Sequence, residues 1–257
     1  MIKIDLIVGA RPNFMKIAPI IHAIHKANNP EKLIEYRLIH TGQHYDANMN
    51  ETFFQELEIP KPHFNLNIGS GTQAEQTAGI MIGYEKLIIL EKPDLCLVVG
   101  DVTSTMACAI TARKMLVTVA HVEGGIRSGD ETMPEEINRM VTDSITNYFF
   151  TTSEVANENL RKSGFKEESM FFVGNTMIDT LLKNQPRFAK PEIWDLINLK
   201  EKEYIVLTLH RPANVDEESK LKDLINEIIA HSHDLPLIFP VHPRTAKIIS
   251  SLGISHP

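Results

Sequence analysis

The chain alternates between short apolar runs rich in valine and isoleucine and longer stretches in which apolar residues recur at helical spacing. The apolar runs predict buried strands, the clearest being residues 2–8, 33–40, 95–99 and 117–122. The periodic stretches between them predict helices, for example over residues 73–90. Strands that alternate with helices in this way indicate parallel βα units. The sequence therefore predicts an α/β fold with doubly wound, Rossmann-like sheets.

A polar stretch at residues 183–203 interrupts this alternation and predicts a linker. Beyond it the alternation restarts, with strand-like runs at 204–209 and 237–241. We expect a first Rossmann-like domain over residues 1–175 and the start of a second, nucleotide-binding one over residues 176–257. So few strands cannot cover both faces of a doubly wound sheet, so we expect the second domain to be truncated.

Two neighbouring predicted strands each end in an acid. Asp101 follows the run at 95–99 directly after Gly100, and Glu123 follows the run at 117–122. The carboxyl ends of parallel strands meet at one edge of the sheet, where open α/β sheets hold their ligands. We therefore expect both carboxylates to face one crevice.

A third acid, Glu135, follows Pro134 at the start of a predicted helix. The structural alternative is good helix-start chemistry with a Glu135–Arg139 pair at i,i+4, which would contribute only about 0.2–0.5 kcal/mol. Together with Asp101 and Glu123 that alternative weakens, because three neighbouring acids repel one another unless a ligand or a shared proton compensates. We interpret the three acids as a candidate catalytic site.

The turn after the first strand carries two cations, Arg11 and Lys16, at the beginning of a predicted helix. The glycine pattern of dinucleotide-binding folds is absent here, because only Gly9 is present. A lysine near a helix amino terminus opposes the helix dipole, so the cluster favours an anion that uses both cations and the free backbone N–H groups. Solvated surface cations are the alternative, and we favour a phosphate-bearing ligand.

Polar turns follow three other predicted strands. Gln43 and His44 lie after the second strand, and their spacing from His40 across a glycine disfavours a zinc site. His210 and His242 each follow a strand of the second half, with an arginine, Arg211 or Arg244, close behind. The alternative is that these turns are hydrogen-bonded to water. The repeated pattern of a histidine and an arginine after a strand favours ligand binding.

Composition narrows the possible partners and compartments. A net charge of −7, with no cluster of lysine and arginine, disfavours nucleic acid and anionic membranes. Cys96 and Cys108 have no metal or disulfide spacing and are interpreted as small buried residues in a reducing compartment. The apolar run at the amino terminus is too short for a signal peptide and no stretch approaches the ~20 apolar residues of a membrane span, so we expect neither. We expect a cytoplasmic protein.

The ordered motifs of the chain resemble those of the UDP-N-acetylglucosamine 2-epimerase family. They are GARPNFMKIAPI, TGQHYD, VVGDVTST, HVEGGIRSGD, PEEINR, GNTMID, LHRPANVD and FPVHPR. The resemblance implies two Rossmann-like domains in the glycosyltransferase-B arrangement. It also implies interconversion of UDP-N-acetylglucosamine and UDP-N-acetylmannosamine by a cytoplasmic homodimer without a redox cofactor or metal, in cell-surface polysaccharide biosynthesis.

The resemblance also implies roles for individual residues. The essential acids of the family fall on Asp101, Glu123 and Glu135, and the diphosphate and sugar contacts fall on Arg11 and Lys16. Arg139 and His210 match active-site residues. Gln43 and His242 match positions that in some members touch a second, regulatory nucleotide sugar, and we group His44 and Arg244 with them as substrate-binding candidates.

Two departures from the family and three alternatives stay open. Asn13 stands where many members have glutamate, and the later segment with a Ser-Gly-Gly turn for the diphosphate is absent from the sequence. The alternatives are a hydrolysing 2-epimerase that releases N-acetylmannosamine, a sugar transferase of similar architecture, and an inactive fragment.

Overall fold

The computed structural model describes residues 1–42, 51–209, 212–241 and 243–251. The chain divides into two compact units, Met1–Pro186 and Arg187–Pro257.

The first unit alternates strands and helices along its whole length. Its strands are β1 (Ile2–Val8), β2 (Ile34–His40), β3 (Phe64–Asn65), β4 (Leu95–Val99), β5 (Thr118–Val122), β6 (Tyr148–Thr151) and β7 (Met170–Phe172). Its α-helices are α1 (Arg11–Ala27), α2 (Glu51–Glu56), α3 (Gln73–Leu90), α4 (Thr103–Lys114), α5 (Pro134–Ile145), α6 (Glu154–Lys162) and α7 (Thr176–Asn184), and 3₁₀ turns lie at Glu167–Ser169 and Gln185–Arg187. Most helices begin where the sequence turns from a glycine or polar loop to helical periodicity, as at α3, where Thr72 and Glu75 form a capping box.

The seven strands form one sheet in the order β3-β2-β1-β4-β5-β6-β7, and every pair is parallel. The strand order reverses between β1 and β4, which are neighbours in the sheet but far apart in sequence. β4 and β5 pair in register up to Val99 and Val122, so the residues that follow these two strands begin side by side. In open parallel sheets, ligands bind outside the carboxyl ends of the strands at such a reversal.

The core of this unit lies on both faces of the sheet because successive strand residues point to opposite sides. Along β1, Leu6 and Val8 pack with Phe14 and Ile17 of α1 on one face. Ile7 points to the other face and packs in the cluster that holds Ile80, Tyr84 and Ile88 of α3, together with residues of α4. The two cysteines, Cys96 and Cys108, are buried free thiols in that second cluster.

The helix α7 belongs to the first unit. The hydroxyl of Thr180 in α7 donates a hydrogen bond to the carbonyl oxygen of Met15 in α1 at 2.6 Å. The domain boundary that we expected after residue 175 stays a prediction.

The second unit contains the remaining described elements. They are α8 (Ile193–Leu196), β8 (Ile205–Val206), α9 (Pro212–Val215), α10 (Glu218–Ala230), β9 (Leu237–Ile238) and α11 (Pro243–Ser251). β8 and β9 form a parallel pair. A small core surrounds Val215, Leu221 and Ile225, which are buried.

The α/β class predicted from the sequence is confirmed, since a parallel sheet is covered by helices on both faces. Within the described ranges, no helix combines the length and apolar character needed to cross a bilayer.

Candidate active site

The turn after β1 is fixed by Asn13, a buried residue in the first turn of α1. Its side-chain oxygen accepts hydrogen bonds from the backbone N–H groups of Gly9 (3.1 Å) and Ala10 (2.9 Å). Its amide nitrogen donates to the carbonyl oxygen of Val99, the last residue of β4, at 3.3 Å. Asn13 therefore ties the ends of the two strands that flank the reversal in strand order, and sequence reasoning noted it only as a departure from the family.

Lys16 and Glu123 form an ion pair at this edge of the sheet. The ammonium of Lys16 lies 2.5 Å from the Oε2 of Glu123, and the two side chains are 15% and 10% exposed. Gly100 lies beneath the pair with φ +70°, and a Cβ built on it would lie 3.2 Å from the Lys16 nitrogen and 3.7 Å from the Glu123 oxygen. The structure thus brings a predicted phosphate-binding cation into contact with a predicted catalytic acid, and the glycine leaves room for their contact.

Glu123 itself has a left-handed backbone, with φ +71°. Such a conformation costs a residue with a side chain about 1–3 kcal/mol, and it persists only where the surroundings impose it. The backbone N–H of Glu123 is fixed by the carbonyl oxygen of Phe150 at 2.9 Å. Strain of this kind is common at functional sites, and the catalytic role of Glu123 stays a prediction.

Asp101 is held by two consecutive residues of α5. Its carboxylate forms an ion pair with Arg139, through Oδ2 and Nη2. Its carbonyl oxygen accepts a hydrogen bond from the side-chain amide of Asn138 at 2.8 Å. The Asp101 side chain is 29% exposed, so the carboxylate is oriented by the protein and still open to a ligand.

Glu135 and Glu136 lie next to each other in the first turn of α5 but in different surroundings. Glu135 is partly exposed, and its carboxylate makes no hydrogen bond or ion pair with any residue that the structure describes. Glu136 is 2% exposed and pairs with Arg139 at 2.7 Å. The Glu135–Arg139 pair considered from the i,i+4 spacing is therefore replaced by an i,i+3 pair, because the Ser128–Gly129 turn offers its N–H donors to Glu136.

A buried hydrogen-bonded group lies behind these acids. His121 of β5 places Nδ1 2.7 Å from a carboxylate oxygen of Asp143 and Nε2 2.8 Å from the carbonyl oxygen of Gly100. Asp143 also accepts from the backbone N–H of Gly125 (3.0 Å) and from Arg127 (2.6 Å). Burial acts to raise the pKa of Asp143, but the bonds from His121 and Arg127 outweigh it and lower that pKa. This group supports the turns that carry Asp101 and Glu123.

Sequence reasoning missed Glu136, His121 and Asp143. His121 interrupts the apolar run of β5, two positions before Glu123. A histidine inside a buried strand indicates a buried hydrogen-bond partner. Glu136 and Asp143 are seven positions apart on α5 and both buried, so the helical periodicity of polar residues on a buried face could have indicated them.

Arg11 lies in the first turn of α1 and is exposed. Its guanidinium carbon lies 4.9 Å from the centre of the Phe53 ring, a cation–π distance. The other predicted ligand-binding residues cannot be placed in the site. Gln43, His44, His210 and His242 lie outside the described residues, and only the backbone of Arg244, in α11, is described.

The arrangement places carboxylates and cations at one edge of the sheet. Asp101 and Glu123 follow neighbouring strands, and each is paired with a cation that a polyanionic ligand could also engage. Paired carboxylates of this kind can accept or donate a proton, while the lysine and the amino end of α1 can hold a phosphate group.

Comparison with known proteins shows which sequences this chain is similar to. A family model described as UDP-N-acetylglucosamine 2-epimerase matches residues 26–256. The chain is 43% identical to a UDP-N-acetylglucosamine 2-epimerase of Methanocaldococcus jannaschii over 98% of its own length, and it spans 69% of that protein. It is 39% identical to a UDP-2,3-diacetamido-2,3-dideoxy-D-glucuronate 2-epimerase of Pseudomonas aeruginosa, over 98% of the chain and 70% of that protein.

The fold agrees with these sequence matches. The crystal structure of the M. jannaschii UDP-GlcNAc 2-epimerase in complex with UDP-GlcNAc and UDP superposes with a TM-score of 0.83 at 44% identity. The match covers 97% of this chain and 68% of that one.

Proposed function

This chain belongs to the UDP-N-acetylglucosamine 2-epimerase family, a family of enzymes, and from that premise we propose that it interconverts UDP-N-acetylglucosamine and UDP-N-acetylmannosamine. The observation that carries the proposal is the pair of carboxylates, Asp101 and Glu123, at the carboxyl ends of neighbouring strands, each in contact with a cation. Proton transfer and departure of a diphosphate need this combination of groups.

The chemistry of the sugar explains why carboxylates are needed. The C2 hydrogen has no neighbouring carbonyl to acidify it, so direct removal and return of the proton is disfavoured. We propose an elimination instead: a carboxylate takes the C2 proton, the C–H electron pair becomes a C1–C2 double bond, and the C1–O bond breaks as UDP leaves. Addition of UDP and a proton to this glycal intermediate, with the opposite configuration at C2, gives the epimer.

The three acids share the proton transfers in this proposal. Asp101, Glu123 and Glu135 supply the acid and base groups, and their surroundings differ, since two are ion-paired and the third has no ion pair with any described residue. Different surroundings are what separate the protonation states of neighbouring carboxylates, and an acid and a base are both required.

The cations act on the leaving group. Lys16, close to Glu123, and Arg11, at the amino end of α1, stabilise the negative charge that grows on the departing diphosphate. We assign Arg139 to the orientation of Asp101 and, from the family motif alone, His210 to the leaving group as well. Gln43, His44, His242 and Arg244 stay proposed substrate-binding residues.

Product analysis tests this proposal. The protein is incubated with UDP-N-acetylglucosamine, and the nucleotide sugars are separated by anion-exchange chromatography. Formation of UDP-N-acetylmannosamine, and of UDP-N-acetylglucosamine from the reverse direction, supports the proposal. Free UDP with free N-acetylmannosamine assigns the hydrolysing reaction instead, and turnover only with an added acceptor assigns a transferase.

The identity of the sugar needs a matched comparison. The P. aeruginosa relative is named for a diacetamido glucuronate, which differs from N-acetylglucosamine at C3 and C6. Turnover of that nucleotide sugar at a higher kcat/KM than UDP-N-acetylglucosamine would reassign the substrate and leave the reaction type in place.

We also propose that the enzyme is a homodimer that works in the cytoplasm for cell-surface polysaccharide synthesis. An apolar groove between α3, α4 and α5, lined by Ala78, Met81, Met106 and Ile137 among others, supports the assembly. Two free buried cysteines fit a reducing compartment. Light scattering of the purified protein gives the oligomeric state directly.

A further inference from the structure

The carboxylate of Glu136 is the most completely bonded acid beside the site. It accepts hydrogen bonds from the backbone N–H of Ser128 (3.0 Å), the hydroxyl of Ser128 (3.0 Å) and the backbone N–H of Gly129 (3.2 Å). The fourth donor is Nη1 of Arg139, at 2.7 Å. Burial acts to raise the pKa of Glu136, but these donors outweigh it and lower the pKa to about 2. A carboxylate so occupied is poorly suited to exchange protons with a substrate.

Arg139 connects this buried acid to the reacting groups. One of its terminal nitrogens, Nη1, bonds Glu136, and the other, Nη2, forms the ion pair with Asp101. Because the guanidinium is planar, fixing one arm of the fork fixes the direction of the other. Burial acts to lower the pKa of Arg139, but its two carboxylate partners raise it above its ordinary value, so it stays charged.

The same acid also holds the loop that follows β5. Both hydrogen-bond donors of Ser128, its N–H and its hydroxyl, and the N–H of Gly129 end on Glu136. Gly129 has φ +73°, and a Cβ built on it would meet nothing within 4 Å, so this turn has room on its outer side and depends on Glu136 from within.

We propose that Glu136 is a positioning residue of the reaction, which aims Arg139 at Asp101 and holds the Ser128–Gly129 turn against the amino end of α5. This inference rests on the proposed function, because it takes Asp101 as one of the reacting acids. In this role Glu136 acts through Arg139 and the turn, and not on the substrate. Its neighbour Glu135 has the opposite character, since it is partly exposed and its carboxylate has no partner among the described residues.

Glu136→Gln is the substitution that tests this role. Glutamine keeps the shape, but its NH₂ must face either the N–H groups of the turn or the Arg139 guanidinium, all of which are donors. The matched control is Glu131→Gln, because Glu131 is an exposed acid in the same loop. We expect Glu136→Gln to lower kcat about 10- to 100-fold with KM for UDP-N-acetylglucosamine changed less than about threefold. Glu131→Gln should have wild-type kinetics.

A double-mutant cycle separates positioning from a general loss of structure. If Glu136 acts through Arg139, the double variant E136Q/R139K should have the kcat of R139K alone, because the arm that Glu136 fixes is already gone. Additive losses in the cycle would overturn the proposal. So would a wild-type kcat in E136Q, whatever its stability.

A crystal structure of E136Q makes the proposal independent of turnover. If the wild-type protein makes no product from any of the nucleotide sugars, the proposed function fails, but the position of Arg139 still decides the present point. Arg139 displaced from Asp101 in E136Q supports the positioning role, and Arg139 unmoved contradicts it.

Discussion

Replacing Glu136 by glutamine should destabilise the first unit at neutral pH, and this destabilisation should shrink as the pH falls. Burial acts to raise the pKa of Glu136, and the donors from Ser128, Arg139 and Gly129 overcome it and lower the pKa to about 2. The folded state therefore binds this proton less tightly than the unfolded chain does. Ionised Glu136 contributes stability above the pKa of the unfolded chain, and that contribution is lost as the pH falls toward the folded pKa.

The structure gives the size of the effect. The pKa falls from an ordinary value of 4.5 to about 2, and each pH unit corresponds to about 1.4 kcal/mol, so the linkage amounts to about 3 kcal/mol. Glutamine carries no charge at any pH. We therefore expect the wild type to exceed E136Q in free energy of unfolding by about 3 kcal/mol at about pH 7, and by about 1 kcal/mol at about pH 3.

The assay has to report on the first unit alone. The single tryptophan, Trp194, lies in α8 of the second unit, so its fluorescence does not serve. Pulsed hydrogen exchange with mass spectrometry, along a urea series, follows peptides from β4, β5 and α5 separately. The control E131Q should match the wild type at both pH values.

A difference between wild type and E136Q that is the same at both pH values would overturn this explanation of the stability change. Such a result would mean that shape or packing at position 136, and not the charge of the carboxylate, sets the stability. A difference that grows in acid would contradict the sign of the pKa change itself.

Three further predictions follow from single contacts. Gly125→Ala should lower the melting temperature far more than Gly129→Ala, because both have positive φ but only at Gly125 would the new Cβ clash with a backbone oxygen, that of Ala156. Calorimetry of the two variants tests this. Asp143→Asn should lower the free energy of unfolding by about 3–5 kcal/mol, because the buried partners of Asp143, including His121, lose their carboxylate. Urea titration measures this, and a loss below about 1 kcal/mol would contradict a supporting role for Asp143. Glu135→Gln should abolish epimerisation. Its free energy of unfolding should stay within about 0.5 kcal/mol of wild type, since the Glu135 carboxylate has no partner among the described residues. Retained turnover would remove Glu135 from the proposed acids.

The fold of the first unit could be predicted because its strands are continuous apolar runs between helices. The predicted strands at residues 2–8 and 95–99 coincide with β1 and β4. The later runs at 204–209 and 237–241 were predicted too long, since β8 and β9 pair only over Ile205–Val206 and Leu237–Ile238. A strand ends where its neighbour stops offering hydrogen bonds, and hydropathy alone does not contain that information.

The candidate site was only partly predictable, for a geometric reason. Strand ends identify Asp101 and Glu123, because the carboxyl edge of a parallel sheet is set by strand direction. Adjacent residues on a helix point about 100° apart, so whether Glu135 or Glu136 is buried depends on the loop packed against α5. The contact between His121 and the carbonyl oxygen of Gly100 depends on the pairing of β4 with β5, which a single strand does not reveal.

The proposed reaction requires these carboxylates to move the C2 proton of a nucleotide sugar. Proton NMR of the protein with UDP-N-acetylglucosamine in heavy water, comparing the wild type with Asp101→Asn, measures that step. We expect the wild type to replace the C2 proton with deuterium in both UDP-N-acetylglucosamine and UDP-N-acetylmannosamine, and Asp101→Asn not to. Epimer that forms with its C2 proton retained, or exchange that continues unchanged in Asp101→Asn, would contradict this proposal.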